Sequence, residues 1–179
     1  MKASKDLWRW RMKAALNLQQ PWTSSFARER LKQNLQLLVG SRPGLWASYR
    51  PLPLEADPDI GALPGVEWVY PRMEQQSLVF CRANVFVTGR FGCQEPDALS
   101  SLVHPEELTG VLVPGLAFDH QGRRLGRGRG FYDRTLANFN ALTVGVAAAI
   151  QRIAEVPAEP WDIQMQAVVT EQSVYWLED

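Results

Sequence analysis

Residues Gly126-Arg127-Gly128-Arg129-Gly130 alternate glycine with arginine, and Phe131-Tyr132-Asp133-Arg134 follow directly. Glycines at alternate positions lift the Cβ restriction, so backbone N–H groups can turn inward as a cradle. Arg123, Arg124, Arg127, Arg129 and Arg134 add cationic donors suited to phosphate or carboxylate. A helix opening near Phe131 would aim its positive end at the same place. Asp133 is the odd member, because a carboxylate repels bound phosphates unless a divalent cation stands between them. Mg²⁺ binds through one or two carboxylates plus substrate phosphates, so Asp133 is a candidate metal ligand. The loop is not a P-loop, since no Lys-Ser/Thr follows, and Phe131 occupies the last glycine position of GxGxxG. Gly-Arg alternation also occurs in RNA-binding segments. Here a strand pattern precedes the loop and a helix pattern follows it, which favours a folded anion site.

The elements that must hold this loop can be read from apolar patterning. Val111-Leu112-Val113 has the character of an interior strand, ended by Pro114-Gly115. Leu116 to Phe118 continue the apolar run, and Asp119 to Gly122 read as a polar turn. A helix is predicted over 131–139, with further strands over 143–149, 167–170 and 174–177. Upstream, Ser4 can cap a helix over 5–17 that turns Trp8, Met12 and Ala15 inward. Lys5 and Arg9 then share one stripe at the edge of that face. A second helix is expected over 24–38, capped by Thr23 or Ser24, with strands over 45–49, 66–70 and 78–81. Pro105 to Leu108 should open a short helix with His104 near its cap. Neither His104 nor His120 has a Ser or Cys partner in a recognisable motif, so no catalytic triad is expected. Strands alternating with helices argue for an α/β domain with a mainly parallel sheet. Its ligand loop should stand at the carboxyl end of a strand.

Composition narrows the class. The chain has 179 residues, 46% hydrophobic and 21% charged, which suits one domain over 1–179. With 19 basic and 19 acidic residues the formal charge is zero, which argues against nucleic-acid binding driven by bulk charge. Cys81 and Cys93 lack metal-type spacing and read as reduced thiols of a cytoplasmic protein. The N-terminal stretch is broken by charges throughout, unlike a signal peptide, and no apolar run is long enough to span a membrane.

The segment LVPGLAFDHQGRRLGRGRGFYDRTL resembles the signature of the 5-formyltetrahydrofolate cyclo-ligase family. That signature is close to P-G-x-x-F-D-x-x-G-x-R-L-G-x-G-x-G-Y-Y-D, and every fixed position matches except the first tyrosine, which is Phe131 here. The resemblance implies a three-layer α/β/α, Rossmann-like fold. It also implies ATP- and Mg²⁺-dependent conversion of 5-formyltetrahydrofolate to 5,10-methenyltetrahydrofolate, ADP and phosphate.

By the same resemblance, Lys5 and Arg9 match a Lys-x-x-x-Arg helix that reaches the nucleotide. Arg124, Leu125, Gly126, Arg127, Gly128, Arg129, Gly130, Phe131 and Tyr132 would complete the ATP site. Glu55-Ala56-Asp57 matches a folate-contacting E-x-D motif, so Glu55 and Asp57, with Arg127 and Phe131, are expected at the folate. A pterin offers N–H donors that a carboxylate can accept side by side. Arg127 and Tyr132 are the expected catalytic residues, with Arg127 open to phosphate, folate or both. Asp133 and Asp162 are the implied Mg²⁺ ligands. Gly92, Glu95 and Pro96 resemble a G-x-x-E-P turn.

Phe131, Pro58, Trp161 and Gln166 depart from the family's tyrosine, threonine, histidine and aspartate. The implied partners are 5-formyltetrahydrofolate and its polyglutamates, with no membrane, no nucleic acid and a monomeric state. Two alternatives stand beside this: a paralogue that binds nucleotide or folate without the chemistry, and an RNA-binding module built on the Arg-Gly loop.

Overall fold

A computed structural model describes residues 4–177. Helix α1 (Lys5–Gln19) opens at Ser4, whose hydroxyl accepts from the Leu7 amide. Helix α2 (Ser25–Gly40) opens at Ser24, whose hydroxyl accepts from the Ala27 amide. Both caps satisfy an amide that the first helical turn leaves free. In α1 the deepest residues are Met12 and Leu16, with Trp8 only half-buried.

The remaining elements are β1 (Gly44–Ala47), β2 (Val66–Glu74), β3 (Ser77–Arg82), β4 (Phe86–Thr88), β5 (Gln94–Pro96), β6 (Ser101–Val103), β7 (Leu108–Pro114), β8 (Ala117–Phe118), β9 (Arg124–Leu125), α3 (Phe131–Leu136), β10 (Leu142–Val146), β11 (Ala167–Val169) and β12 (Val174–Trp176). Eight of the strands form one sheet in the order β12-β11-β10-β7-β1-β2-β3-β6. Strands β11, β10, β7, β1 and β2 run parallel, while β12, β3 and β6 add antiparallel at the two sides.

Alternation along the strands assigns each apolar residue to a face. On one face Trp46, Leu112, Val144, Val146 and Val169 meet Leu31, Leu35 and Leu38 of α2. On the other, Ala47, Val111, Val113 and Val168 meet Leu136 of α3, with Tyr132 and Phe139 alongside. This is the expected α/β arrangement with a mainly parallel sheet, helices lying on both faces. A third, smaller cluster joins Met12 and Leu16 of α1 to Leu116, Leu125 and Val156.

Three elements differ from the sequence expectation. Helix α3 stops at Leu136 rather than 139, where Asn138 and Asn140 favour turn geometry. The strand expected over 143–149 ends at Val146, and the chain turns into a 3₁₀ segment at Ala149–Gln151. The fully buried Gln151 explains the bend: its Oε1 accepts from the Ala148 amide at 2.8 Å and its Nε2 donates to the Gly115 carbonyl at 2.7 Å. Strand β2 runs through Pro71 instead of ending before it. Strand β1 pairs with β2 only as far as Val69, so Pro71 has no ladder to break on that side.

A short hairpin, β8–β9, carries the chain from β7 to the glycine loop. Its turn is built on Asp119, which is buried. One carboxylate oxygen accepts from the amides of Gln121 and Arg123 at 2.9 and 3.1 Å. The other accepts from Arg123 Nε at 2.6 Å and the Val156 amide at 2.8 Å. Removing one partner of such a buried pair strands the rest without acceptors. Asp119→Ala is therefore expected to lower the unfolding free energy by about 3 kcal/mol in urea titration; a loss below about 1 kcal/mol would show that the turn is held by other contacts.

Beyond β1, Tyr49 is buried and donates its hydroxyl to the Ala56 carbonyl at 2.8 Å. Burial first, then the charge of Glu55, raises its pKa well above that of a free tyrosine. The folded state thus keeps this proton more tightly than the unfolded state does. Its contribution is complete below the unfolded pKa of about 10 and is lost as pH rises beyond it. Tyr49→Phe should cost about 1 kcal/mol at neutral pH and make stability fall less steeply on the alkaline side, as followed by thermal unfolding at several pH values.

Candidate active site

A cavity of about 880 Å³ opens among α1, the segment after β1, strands β2 and β3, the β4–β5 hairpin, the glycine loop and α3. Its volume falls in the usual range for small-molecule sites. Pro114 and Gly115 at the end of β7, and Tyr49 just beyond β1, line it. The site therefore stands outside the carboxyl ends of parallel strands, as open α/β sheets favour. Eight cationic side chains and four carboxylates line the cavity. The neutral charge of the whole chain conceals this local excess.

The glycine loop forms one wall. Arg124, which begins it, is 7% exposed. Its Nη1 donates to the Pro114 carbonyl at 3.2 Å and its Nη2 to Asp133 Oδ1 at 3.0 Å, and the guanidinium lies 5.4 Å from the centre of the Tyr132 ring. Gly128 has φ +97°, and a Cβ there would come within 3.2 Å of Arg9 Cζ. That position requires glycine for its backbone, and any side chain there would also displace the Arg9 guanidinium slightly. Arg134 ties the loop down, with Nε donating to the Gln76 carbonyl at 2.6 Å and Nη2 to the Arg129 carbonyl at 2.8 Å. Arg129 stacks over Phe91, 4.3 Å from its ring centre. Because α3 has only six residues, its dipole contributes little, and the cationic character comes from guanidinium groups.

Helix α1 closes a second wall. Arg9 Nε donates to the Gly126 carbonyl at 3.0 Å, and Arg9 Nη1 pairs with Asp6 at 2.5 Å. Lys5 Nζ lies 2.5 Å from Asp162 Oδ2, which also accepts from the Glu159 amide at 2.7 Å. Lys5 and Arg9 thus both reach the cavity from a helix more than a hundred residues away in sequence.

A third wall carries the carboxylate of Glu55. Arg127 Nε donates to Glu55 Oε1 at 2.7 Å, Arg127 Nη2 donates to the Pro53 carbonyl, and Glu55 Oε2 accepts from the Leu52 amide at 2.8 Å. Arg127 so bridges the glycine loop and the segment after β1. Tyr132 lies beside this pair, and burial first, then Glu55, pushes its pKa above the ordinary range. It stays a neutral hydroxyl at physiological pH. Phe131 lines the same space, its ring 5.5 Å from the Arg134 guanidinium.

Of the residues expected at the site, all but two line the cavity: Lys5, Arg9, Glu55, Arg124 through Arg134, and Asp162. One exception is Arg123, whose guanidinium is held by the buried Asp119 at 2.6 Å instead. The other is Asp57. It is exposed, and its carboxylate accepts from the Asp59 amide at 3.0 Å. It caps the amide two places on in an Asx turn instead of facing the cavity.

Asp133 and Asp162 both face the cavity, each paired with a cation, Arg124 and Lys5 respectively. Among the described residues no group of three or more His, Cys, Asp or Glu side chains forms a metal cage. Two carboxylates beside a cationic loop are nonetheless a donor set that Mg²⁺ uses, with phosphate oxygens and waters completing its shell. The residues fit that ion.

Sequence patterning missed several lining residues, including Tyr49, Arg50, Met73, Leu78, Phe91 and Trp161. They come from five separate stretches, and no local spacing connects them. One departure from the family pattern has a visible role. Gln166 Oε1 accepts from the Thr143 amide at 3.0 Å and so ties β10 to the start of β11. Trp161 lies 70% exposed at the cavity rim.

Comparison with known proteins agrees with this architecture. Residues 65–171 match the model of the 5-formyltetrahydrofolate cyclo-ligase family. The chain is 42% identical over 95 residues to the 5-formyltetrahydrofolate cyclo-ligase of Mycolicibacterium smegmatis, covering 50% of this chain and 47% of that protein. It is 42% identical over 93 residues to the Escherichia coli K12 cyclo-ligase, covering 50% of this chain and 51% of that protein. The match thus spans about half the length of these curated relatives. The solution structure of Aquifex aeolicus 5,10-methenyltetrahydrofolate synthetase superposes with a TM-score of 0.80 at 30% identity, over 98% of this chain and 93% of that one. Sequence and fold together show that the chain belongs to the 5-formyltetrahydrofolate cyclo-ligase family.

Proposed function

We propose that the cavity takes ATP and 5-formyltetrahydrofolate together and closes the folate to 5,10-methenyltetrahydrofolate, releasing ADP and phosphate. The observation that carries this reading is the bond between Arg127 and Glu55, which joins a phosphate-suited loop to a pterin-suited carboxylate inside one cavity. Family membership supplies the reaction class.

The formyl oxygen is a poor leaving group. Its attack on the γ-phosphorus of ATP breaks the bond to ADP and leaves an iminium-like phosphate. The folate N10 then attacks the formyl carbon, the C–O bond breaks, phosphate departs, and N10 loses its proton. The protein's task is to hold two substrates in line and to offset the charge that moves with the phosphoryl group. The glycine loop with Arg124, Arg127 and Arg129 clamps phosphates, and Lys5 and Arg9 close over the nucleotide. Glu55 accepts pterin N–H groups, and Tyr132 donates its hydroxyl hydrogen at the boundary between the two substrates. Asp133 and Asp162 would hold Mg²⁺, which when bound would supply neutralising charge at the phosphates. Phe131 leaves that neighbourhood without the hydroxyl of the family's tyrosine.

We place the protein in the cytoplasm as a monomer that engages neither membrane nor nucleic acid. Both cysteines are free thiols, and no helix among the described residues is long and apolar enough to cross a membrane.

Purified protein mixed with 5-formyltetrahydrofolate, Mg²⁺ and ATP should produce the near-ultraviolet absorbance of the methenyl product. Asp133→Asn keeps an acceptor for Arg124 but removes the charge, and should raise the Mg²⁺ concentration needed for half-maximal rate. A folded protein that binds ATP and produces no absorbance overturns the reading. Removal of a donor aimed at developing charge costs about 100- to 1,000-fold in kcat. Arg127→Ala is expected in that range by steady-state kinetics, whereas Arg127→Lys, which retains charge without the guanidinium fork, should recover only part of the loss.

A further inference from the structure

The cations of the cavity differ in what they already hold. Lys5, Arg9, Arg124 and Arg127 each pair with a carboxylate, and Arg134 donates to two carbonyls. Arg50, like Arg129 over Phe91, is stacked rather than paired. Its guanidinium lies 5.1 Å from the centre of the Tyr70 ring and 4.4 Å from that of Phe86, two rings where Arg129 has one, with neither hydrogen bond nor ion pair among the described residues. The two rings meet edge to face at 4.9 Å and 84°, so they form a rigid corner beneath it.

This arrangement prepares an anion receptor. Stacking engages the faces of the guanidinium and leaves its N–H edge available. It also restricts the side chain in advance, which lowers the cost of ordering it around a ligand. Pro51 follows Arg50 and biases it toward extended backbone. The nearby acids do not occupy the edge: Asp57 accepts from the Asp59 amide and Asp59 from the Gly61 amide, each at 3.0 Å. Arg50 lines the cavity on the same segment as Leu52, Pro53 and Glu55, away from the glycine loop in sequence and wall.

We propose that Arg50 receives a carboxylate of the glutamyl tail of the folate substrate. This assignment rests on the folate reading of the cavity. In a folate the pterin end offers N–H donors and the tail offers carboxylates. The segment after β1 provides an acceptor for the first in Glu55 and a stacked guanidinium for the second in Arg50.

Calorimetric Kd values for 5-formyltetrahydrofolate and for 5-formyltetrahydropteroate, which lacks the glutamate, test this on the wild type and Arg50→Gln. Arg50→Gln should weaken binding of the glutamylated compound about tenfold, as expected for a charged hydrogen bond. With the tail-less compound the two proteins should agree within about twofold. Arg50→Lys should fall between them. Equal weakening toward both compounds, or weakening toward ATP instead, overturns the tail assignment. Absence of folate binding to the wild type overturns it as well. Failure of the cyclo-ligase reading alone is distinguishable, because it leaves folate binding intact and abolishes only the ATP-dependent absorbance change.

Discussion

One buried carboxylate holds the functional part of this molecule in place. Asp119 accepts three backbone amides and the Arg123 side chain, and so closes the β8–β9 hairpin against residue 156. That hairpin aims Arg124 and the glycine loop over the end of β7. Gln151 braces the same stretch from below through the Gly115 carbonyl. With the base of the loop fixed twice, flexible glycines can hold a defined shape, and the guanidinium groups around them can be arranged before any ligand arrives. Gly128 and Gly130 are backbone requirements through their positive φ, and at Gly126, Gly128 and Gly130 alike an added Cβ would also press on an arginine side chain.

Much of this was legible in the residues themselves. The apolar alternation of β7, the caps at Ser4 and Ser24, and the glycine loop with its following helix all carry local signals. Placement of Lys5 and Arg9 in the cavity follows from their spacing on one helix stripe together with the family resemblance. What was not legible depended on contacts between distant segments. Strands β4 and β5 have three residues each, too few to show a period. Asp57 shared its motif with Glu55, yet an Asx turn to the Asp59 amide holds it against its own loop. The bend after β10 is decided by Gln151 reaching a carbonyl thirty-six residues away, which no window of sequence displays.

The charge distribution shows how a neutral chain can serve an anionic ligand. Acidic residues outside the cavity offset cationic ones inside it, so bulk composition says nothing of the field a phosphate would meet. Within the cavity the arginines are mostly paired. Pairing lowers the cost of keeping them partly buried in the absence of ligand, and it also sets their orientation. A substrate anion that engages Lys5, Arg124 or Arg127 must therefore exchange partners with Asp162, Asp133 or Glu55, and affinity there reflects the difference between old and new pairs.

Helix α1 rests on the smallest of the three apolar clusters, in which it contributes only Met12 and Leu16 at full depth. Its other attachments, Lys5 to Asp162 and Arg9 to the Gly126 carbonyl, are polar and face the cavity. A segment secured in this way belongs to the low end of the range of local opening energies that one fold contains. Occupancy of the cavity would add to its hold without touching the sheet core. Solvent exchange of the α1 amides would then slow through a suppressed local opening, while the amides of β7 and β10 slow only through the global stability that a ligand of the folded state adds.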